Sequence, residues 1–297
     1  MTAPILALAL ALAGGSKPVP DSLHVEVSGT GPTVVFLPGL FGAAYGFRRV
    51  TPLVRAAGYR VVIIEPLGVG SSSRPPNADY SLAAQADRIA AVIDTLGGSP
   101  VILVAHSLGG AMAFRIAVRH PTLVRGLLSL EGGPTEEATT PSFRRALRFA
   151  PLLRIFGGAG IVRSKVRGML KESSGDPAWV TDSVVHGYTD GAAKSMGATI
   201  HAFQAMGRAH EPELLQPRLG EIKVPVRMIV GGLPNHEGSL ADGEVALLAR
   251  RLDSFGVDTI PGIGHYPQEE QPAAIIRALE RLEATIAASA RADRHEE

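Results

Sequence analysis

The sequence predicts an α/β fold: a mostly parallel central sheet with helices on both faces and a helical cap insertion. Three observations lead there. Short β-branched or apolar runs, bounded by turn residues, recur at 23–27, 33–37, 60–64, 101–105, 125–130, 226–230 and 257–260. Segments with apolar residues at helical spacing lie between several of them, at 82–96, 108–119, 244–252 and 273–287. Strands alternating with helices pack as a parallel sheet, because each crossover helix has to bury its apolar stripe on a sheet face. The alternation then breaks between Gly132 and Gly220, where no strand pattern occurs and the chain reads as helices at 142–155, 161–170, 179–188 and 193–208.

Each element has a local reason. The link Ser28-Gly29-Thr30-Gly31-Pro32 is short, polar and of hairpin type, so the first strand is expected to run antiparallel to the others. The run 101–105 is continuously apolar, as in a strand covered on both faces. The segment 108–119 follows it directly, so strand passes to helix through one sharp turn. The expected organisation is a lead-in or signal-like segment at 1–20, a core made of 21–133 and 221–290, and a helical cap at 134–220.

Composition narrows the chemistry. With 297 residues, 45% hydrophobic content and a net charge of +1, the chain holds a sizeable core and lacks the basic excess of a nucleic-acid binder. It has no cysteine, which excludes a disulfide scaffold, a thiolate nucleophile and a cysteine-ligated metal. No His-x-x-x-His or His-Glu pair stands at metal spacing, and no lysine follows a phosphate-cradling loop, so neither cofactor nor metal is expected. Residues 5–13 form an apolar run before Gly14-Gly15-Ser16, which reads equally as a cleavable signal or as a lead-in and leaves the location unassigned. The run is shorter than the ~20 residues a bilayer span needs, so no stable membrane span is expected.

Residues 141–171 contain Arg144, Arg145, Arg148, Arg154, Arg163, Lys165, Arg167 and Lys171, with no acidic residue. Either this is a cationic lid that meets a lipid surface or an anionic substrate, or it is a solvated face whose acidic partners come from elsewhere in the fold.

The strongest chemical signal is Val101-Ile102-Leu103-Val104-Ala105-His106-Ser107-Leu108-Gly109-Gly110. A buried strand ends, a serine flanked by small residues follows, and a helix begins. That is the context of a nucleophile elbow, in which positions two before and two after the serine stay small and the hydroxyl stands at a helix N-terminus. Ala105 and Gly109 meet that requirement. A serine hydroxyl needs a neighbouring base. His265, after a strand and the turn Pro261-Gly262-Ile263-Gly264, is the best candidate. His106 reads as an elbow side chain; His186, His201 and His210 fall in the cap, and His236 in the loop after the sixth strand.

With these residues in place the chain resembles the α/β-hydrolase family from Leu23 to Leu282, apart from the cap. Val34-Val35-Phe36-Leu37-Pro38-Gly39-Leu40-Phe41-Gly42 looks like the family's oxyanion loop, with Pro38 where histidine is usual. Glu65-Pro66-Leu67-Gly68-Val69-Gly70-Ser71-Ser72 looks like its Asp-x-x-Gly-x-Gly-x-Ser segment. The resemblance implies Ser107 as nucleophile, His265 as base, and the N–H groups of Leu40 and Leu108 as oxyanion donors. For the acid, the usual loop reads Gly231-Gly232-Leu233-Pro234-Asn235-His236-Glu237 and carries no aspartate. Glu131, at the end of the fifth strand, stands where the haloalkane-dehalogenase branch places its acid; Glu237 and Asn235 remain alternatives. Serine at the nucleophile position departs from the dehalogenase and epoxide-hydrolase branches, which attack with aspartate. The implied activity is hydrolysis of a small apolar carboxylic ester through an acyl-enzyme. Lactone opening, C–C bond cleavage and perhydrolysis on the same triad, and a non-catalytic ligand binder, are the other readings. Trp179 is expected to pack the cap, and Met112, Phe114 and Ile116 to be core or pocket floor.

Overall fold

A computed structural model describes residues 22–97, 100–141, 143–145, 158–233 and 242–296. The strands are β1 (His24–Ser28), β2 (Thr33–Leu37), β3 (Arg60–Glu65), β4 (Val101–His106), β5 (Val124–Leu130), β6 (Val226–Gly231) and β7 (Phe255–Ile260). They form one sheet in the order β1-β3-β2-β4-β5-β6-β7. Only β1 is antiparallel, pairing with β3 through His24↔Glu65 to Ser28↔Val61, so the hairpin-type link does reverse the chain, but onto β3 and not onto β2. Here β2 lies between β3 and β4, so the winding of the sheet reverses direction at β2 and β4. A crevice forms outside the carboxyl ends of the strands at such a point.

The helices are α1 (Thr51–Ala56), α2 (Leu82–Thr95), α3 (Leu108–Arg119), α4 (Gly158–Glu172), α5 (Asp182–Ala193), α6 (Met196–Met206), α7 (Asp242–Arg251), α8 (Pro267–Glu270) and α9 (Pro272–Glu296). Alternate strand residues sort onto the two faces. Val35, Leu37, Val62, Ile64, Leu103 and Ala105 pack against α2, α3 and α7. Val34, Phe36, Val61, Ile63, Ile102 and Val104 pack against α1 and α9. Met112, Phe114 and Ile116 have no exposed surface and belong to the first of these layers, so they are core and not pocket floor.

The cap helices differ from expectation in their breaks. The helix expected at 179–188 is instead a 3₁₀ turn at Pro177–Trp179 followed by α5. Asp176 caps the turn at the Ala178 N–H, and Thr181 caps α5 at the Val184 N–H, so two separate starts replace one. The helix expected at 193–208 begins at Met196, because Ser195 at φ −145° and ψ 60° interrupts the chain. Most of the helix expected at 142–155, and the lead-in at 1–20, lie outside the described residues. Among the described residues no helix is long and apolar enough to cross a membrane.

Candidate active site

Three parallel strand ends define the site. Register pairs Leu37 with Ala105 and His106 with Leu130, so the chain leaves β2, β4 and β5 side by side. The loop 38–42, Ser107 and Glu131 therefore share one edge of the sheet. β6 ends beside them at Gly231, and the loop beyond β7 brings His265 across.

Ser107 sits at φ 52° and ψ −122°, a conformation that costs an L residue about 1–3 kcal/mol. The turn is held by the Ser107 N–H on the Leu130 carbonyl (3.0 Å) and the Gly110 N–H on the Ser107 carbonyl (2.8 Å). Gly109 has to be glycine: a Cβ there would lie 2.4 Å from the Leu37 carbonyl oxygen. Glu131 is also at positive φ, 50°, which turns its side chain off the line of β5 and back towards the serine.

The structure brings Ser107, His265 and Glu131 together. His265 Nε2 lies 3.0 Å from Ser107 Oγ. His265 Nδ1 lies 3.5 Å from Glu131 Oε2, an ion-pair distance that is long for a hydrogen bond, as such contacts often are without substrate. The Glu131 side chain is 2% exposed, and its other oxygen accepts the Gly231 N–H. A buried carboxylate is costly without such partners. Glu237, Asn235 and His236 lie outside the described residues. His186, His201 and His210 are exposed on the cap.

Leu40 and Leu108 both line a cavity of about 950 Å³ that also holds Ser107 and His265. Among the described residues neither of their N–H groups has an acceptor, so both remain available to a ligand oxygen. The loop that carries Leu40 is braced from below by Glu65. Its carboxylate, 2% exposed, accepts the Ala44 N–H at 2.6 Å and the Ser71 N–H at 2.5 Å, and its burial raises the carboxyl pKa above the usual range. Glu65 thus ties the oxyanion-type loop to the Gly-rich segment after β3. Phe41 packs edge-on against Phe143 and Phe203, with ring centroids 5.5 Å away in each case, and closes one side of the cavity. From the cap, α4 contributes Ser164, Lys165, Met169 and Glu172 to the wall.

Two contributors were not visible in the sequence pattern. His106 is buried, and its Nε2 lies 2.8 Å from the backbone carbonyl of His265. A carbonyl only accepts, so Nε2 carries the proton. Burial, with the neighbouring His265 adding to it, pushes the His106 pKa down to about 3, so the ring is a neutral strut under the His265 loop. A histidine ending an apolar strand was the available signal, since a buried polar ring needs a partner. The second is Glu270, which has no motif around it and is taken up below.

Three residues of the basic stretch pair with acids. Arg163 pairs with Asp190 at 3.0 Å, Arg144 with Glu137 at 2.7 Å, and Arg167 with Asp182. Arg148 and Arg154 lie outside the described residues. Trp179 packs the cap: its indole N–H donates to Ser174 Oγ at 3.1 Å, and its ring lies 5.4 Å from that of Tyr266. Among the described residues no cluster of His, Asp or Glu is placed to hold a metal ion.

Comparison with known proteins agrees with this architecture. A family model described as the alpha/beta hydrolase fold matches residues 32–153. The sn-1-specific diacylglycerol lipase ABHD11 of Mus musculus is 32% identical over 127 residues, 42% of this chain; the match spans only 40% of the lipase. The 2-(acetamidomethylene)succinate hydrolase of Mesorhizobium japonicum is 24% identical over 259 residues, covering 87% of this chain and 90% of the relative. The crystal structure of Cfl2 from Burkholderia cenocepacia superposes with a TM-score of 0.71 at 26% identity, over 88% of this chain and 92% of that one. Further matches carry the names haloalkane dehalogenase and epoxide hydrolase. With its strand order, its elbow and these matches, the chain has the alpha/beta hydrolase fold, and the relatives it resembles are hydrolases.

Proposed function

We propose that the chain is a serine hydrolase that cleaves small carboxylic esters through an acyl-enzyme. The observation that carries this reading is the contact of His265 Nε2 with Ser107 Oγ at 3.0 Å, backed by Glu131 at 3.5 Å. His265 takes the hydroxyl proton as Ser107 Oγ attacks the ester carbonyl. The Leu40 and Leu108 N–H groups receive the developing oxyanion, an interaction worth a factor of ~10²–10³ per donor. Glu131 orients the ring and balances the imidazolium. His265 then gives its proton to the departing alkoxide, and a second cycle with water as nucleophile frees the acid and regenerates the serine. Residues 134–220 serve as the cap that closes the site, with Leu40, Phe41 and Met169 as an apolar wall for the substrate, beside the exposed Lys165 and Glu172.

The serine itself favours ester chemistry over the reactions named in some relatives. Displacing a halide or opening an epoxide would leave an alkyl ether on Ser107, with no carbonyl for water to attack. An acyl ester keeps one. Lactone opening, C–C cleavage and perhydrolysis use the same triad, and pocket shape decides among them.

A panel of nitrophenyl esters of increasing acyl length, a lactone, an epoxide and a haloalkane tests the reading. Ester turnover that falls by at least ~10³ in Ser107→Ala is expected. Turnover of the epoxide or haloalkane without ester hydrolysis, or saturable ester binding with none, contradicts it.

A further inference from the structure

The loop that carries His265 does not stand alone. It lies against residues 173–176, the segment that follows cap helix α4. The His265 N–H donates to the Ser173 carbonyl at 2.7 Å. The Glu270 carboxylate joins the two segments: Oε1 accepts the Gly264 N–H at 3.0 Å, and Oε2 accepts the N–H groups of Gly175 at 2.7 Å and Asp176 at 3.1 Å. Three backbone donors thus converge on one carboxylate. The two backbones touch only because glycine faces them: a Cβ on Gly175 would lie 1.9 Å from the Gly262 carbonyl oxygen. The preceding residue anchors the same loop on its other side. Glu269, with no exposed surface, accepts the Tyr188 hydroxyl of α5 at 2.8 Å and pairs with Arg48 at 2.5 Å.

We infer that Glu270 is a positioning residue for the base: its bridge ties the end of cap helix α4 to the His265 loop, so the docked cap sets where the imidazole stands over Ser107. The inference rests on the reading of His265 as the base. The chemistry requires a carboxylate. Each of its oxygens faces N–H donors, whereas an amide offers one acceptor oxygen and turns an NH₂ group against the other donors. Glu270→Gln therefore keeps the shape and breaks one side of the bridge. A ring displaced by about 1 Å loses up to ~10²-fold in rate.

The test compares the wild type with Glu270→Gln and Gly175→Ala, the latter opening the same contact without a change of charge. Steady-state kinetics on a nitrophenyl ester are combined with the rate and stoichiometry of inactivation by a fluorophosphonate. Glu270→Gln is expected to lower kcat about 10–100-fold with KM within about threefold, and to slow inactivation per site by the same factor, while close to one site per chain still reacts. A per-site rate within twofold of wild type overturns the inference, as does a loss of reactive sites with the remaining sites at full rate, which marks a purely structural role. If Glu270→Gln fails to fold, Gly175→Ala decides on the same two outcomes. A wild type that neither turns over nor reacts refutes the esterase reading instead.

Discussion

Glu131→Gln removes the charge behind His265 and, because its NH₂ group then faces Nδ1, the acceptor that orients the ring as well. The amide oxygen can still accept the Gly231 N–H, so the side chain keeps its place and the fold its stability. The attraction between carboxylate and imidazolium disappears along with the acceptor for the Nδ1 proton. At 3.5 Å and an effective dielectric of about 20, that attraction amounts to about 4–5 kcal/mol. It is absent in the ground state, where the ring is neutral, and present in the transition state, where the ring is charged. The loss should therefore fall on kcat, by about 10³-fold, and leave KM nearly untouched. The acid-to-amide change in the serine-protease triad, which holds the imidazole in the wrong tautomer, costs about 10⁴ in kcat. The assay is steady-state hydrolysis of a short-chain nitrophenyl ester, with a thermal melt to confirm folding. A variant that melts like the wild type and retains kcat within about threefold refutes Glu131 as the acid and turns attention to the 234–241 segment.

Two further outcomes follow from the same geometry. Ser107→Gly relieves the positive φ of the elbow, so it should raise Tm by roughly 1–4 °C while abolishing turnover, and calorimetry showing no rise or a fall would contradict the strain. His106, neutral in the fold with a pKa near 3, must take up a proton on unfolding at acid pH. Its folded pKa lies below the unfolded value of 6.5, so the stability it confers is complete above pH 6.5 and is lost as pH falls towards 3. The loss is about 2 kcal/mol at pH 5. Denaturant melts of wild type and His106→Gln at pH 7 and pH 5 should show the smaller acid loss in the variant, and parallel losses would contradict the assignment.

Periodicity located β2 to β6 because each is an apolar run buried on one or both faces, while β1 and β7, which have no fully buried residue, were read from β-branched residues between turn signals. Ends were less legible. β7 starts at Phe255, since Phe255 and Gly256 pair with Val226 and Arg227, a matter of partners and not of composition. α1 was missed because its six residues are too few to show a helical period. Ser107 and His265 stood out as candidates through the turns around them, and the fold places His265 Nε2 3.0 Å from Ser107 Oγ. For the acid three residues competed in the sequence; of these only Glu131, at the end of β5, lies among the described residues, and it comes within 3.5 Å of His265. His106 and Glu270 act on His265 through backbone contacts, which leave no residue-type signature beyond a polar side chain in an apolar setting.

The reactivity of Ser107 is tested most directly by incubating the folded protein with a biotinylated fluorophosphonate, digesting it, and mapping the adduct by mass spectrometry. A single phosphonylated peptide modified at Ser107, absent from heat-unfolded protein and from Ser107→Ala, is the predicted result. A well-folded chain that takes up no label, or takes it up on another residue, would contradict the proposed mechanism at its root.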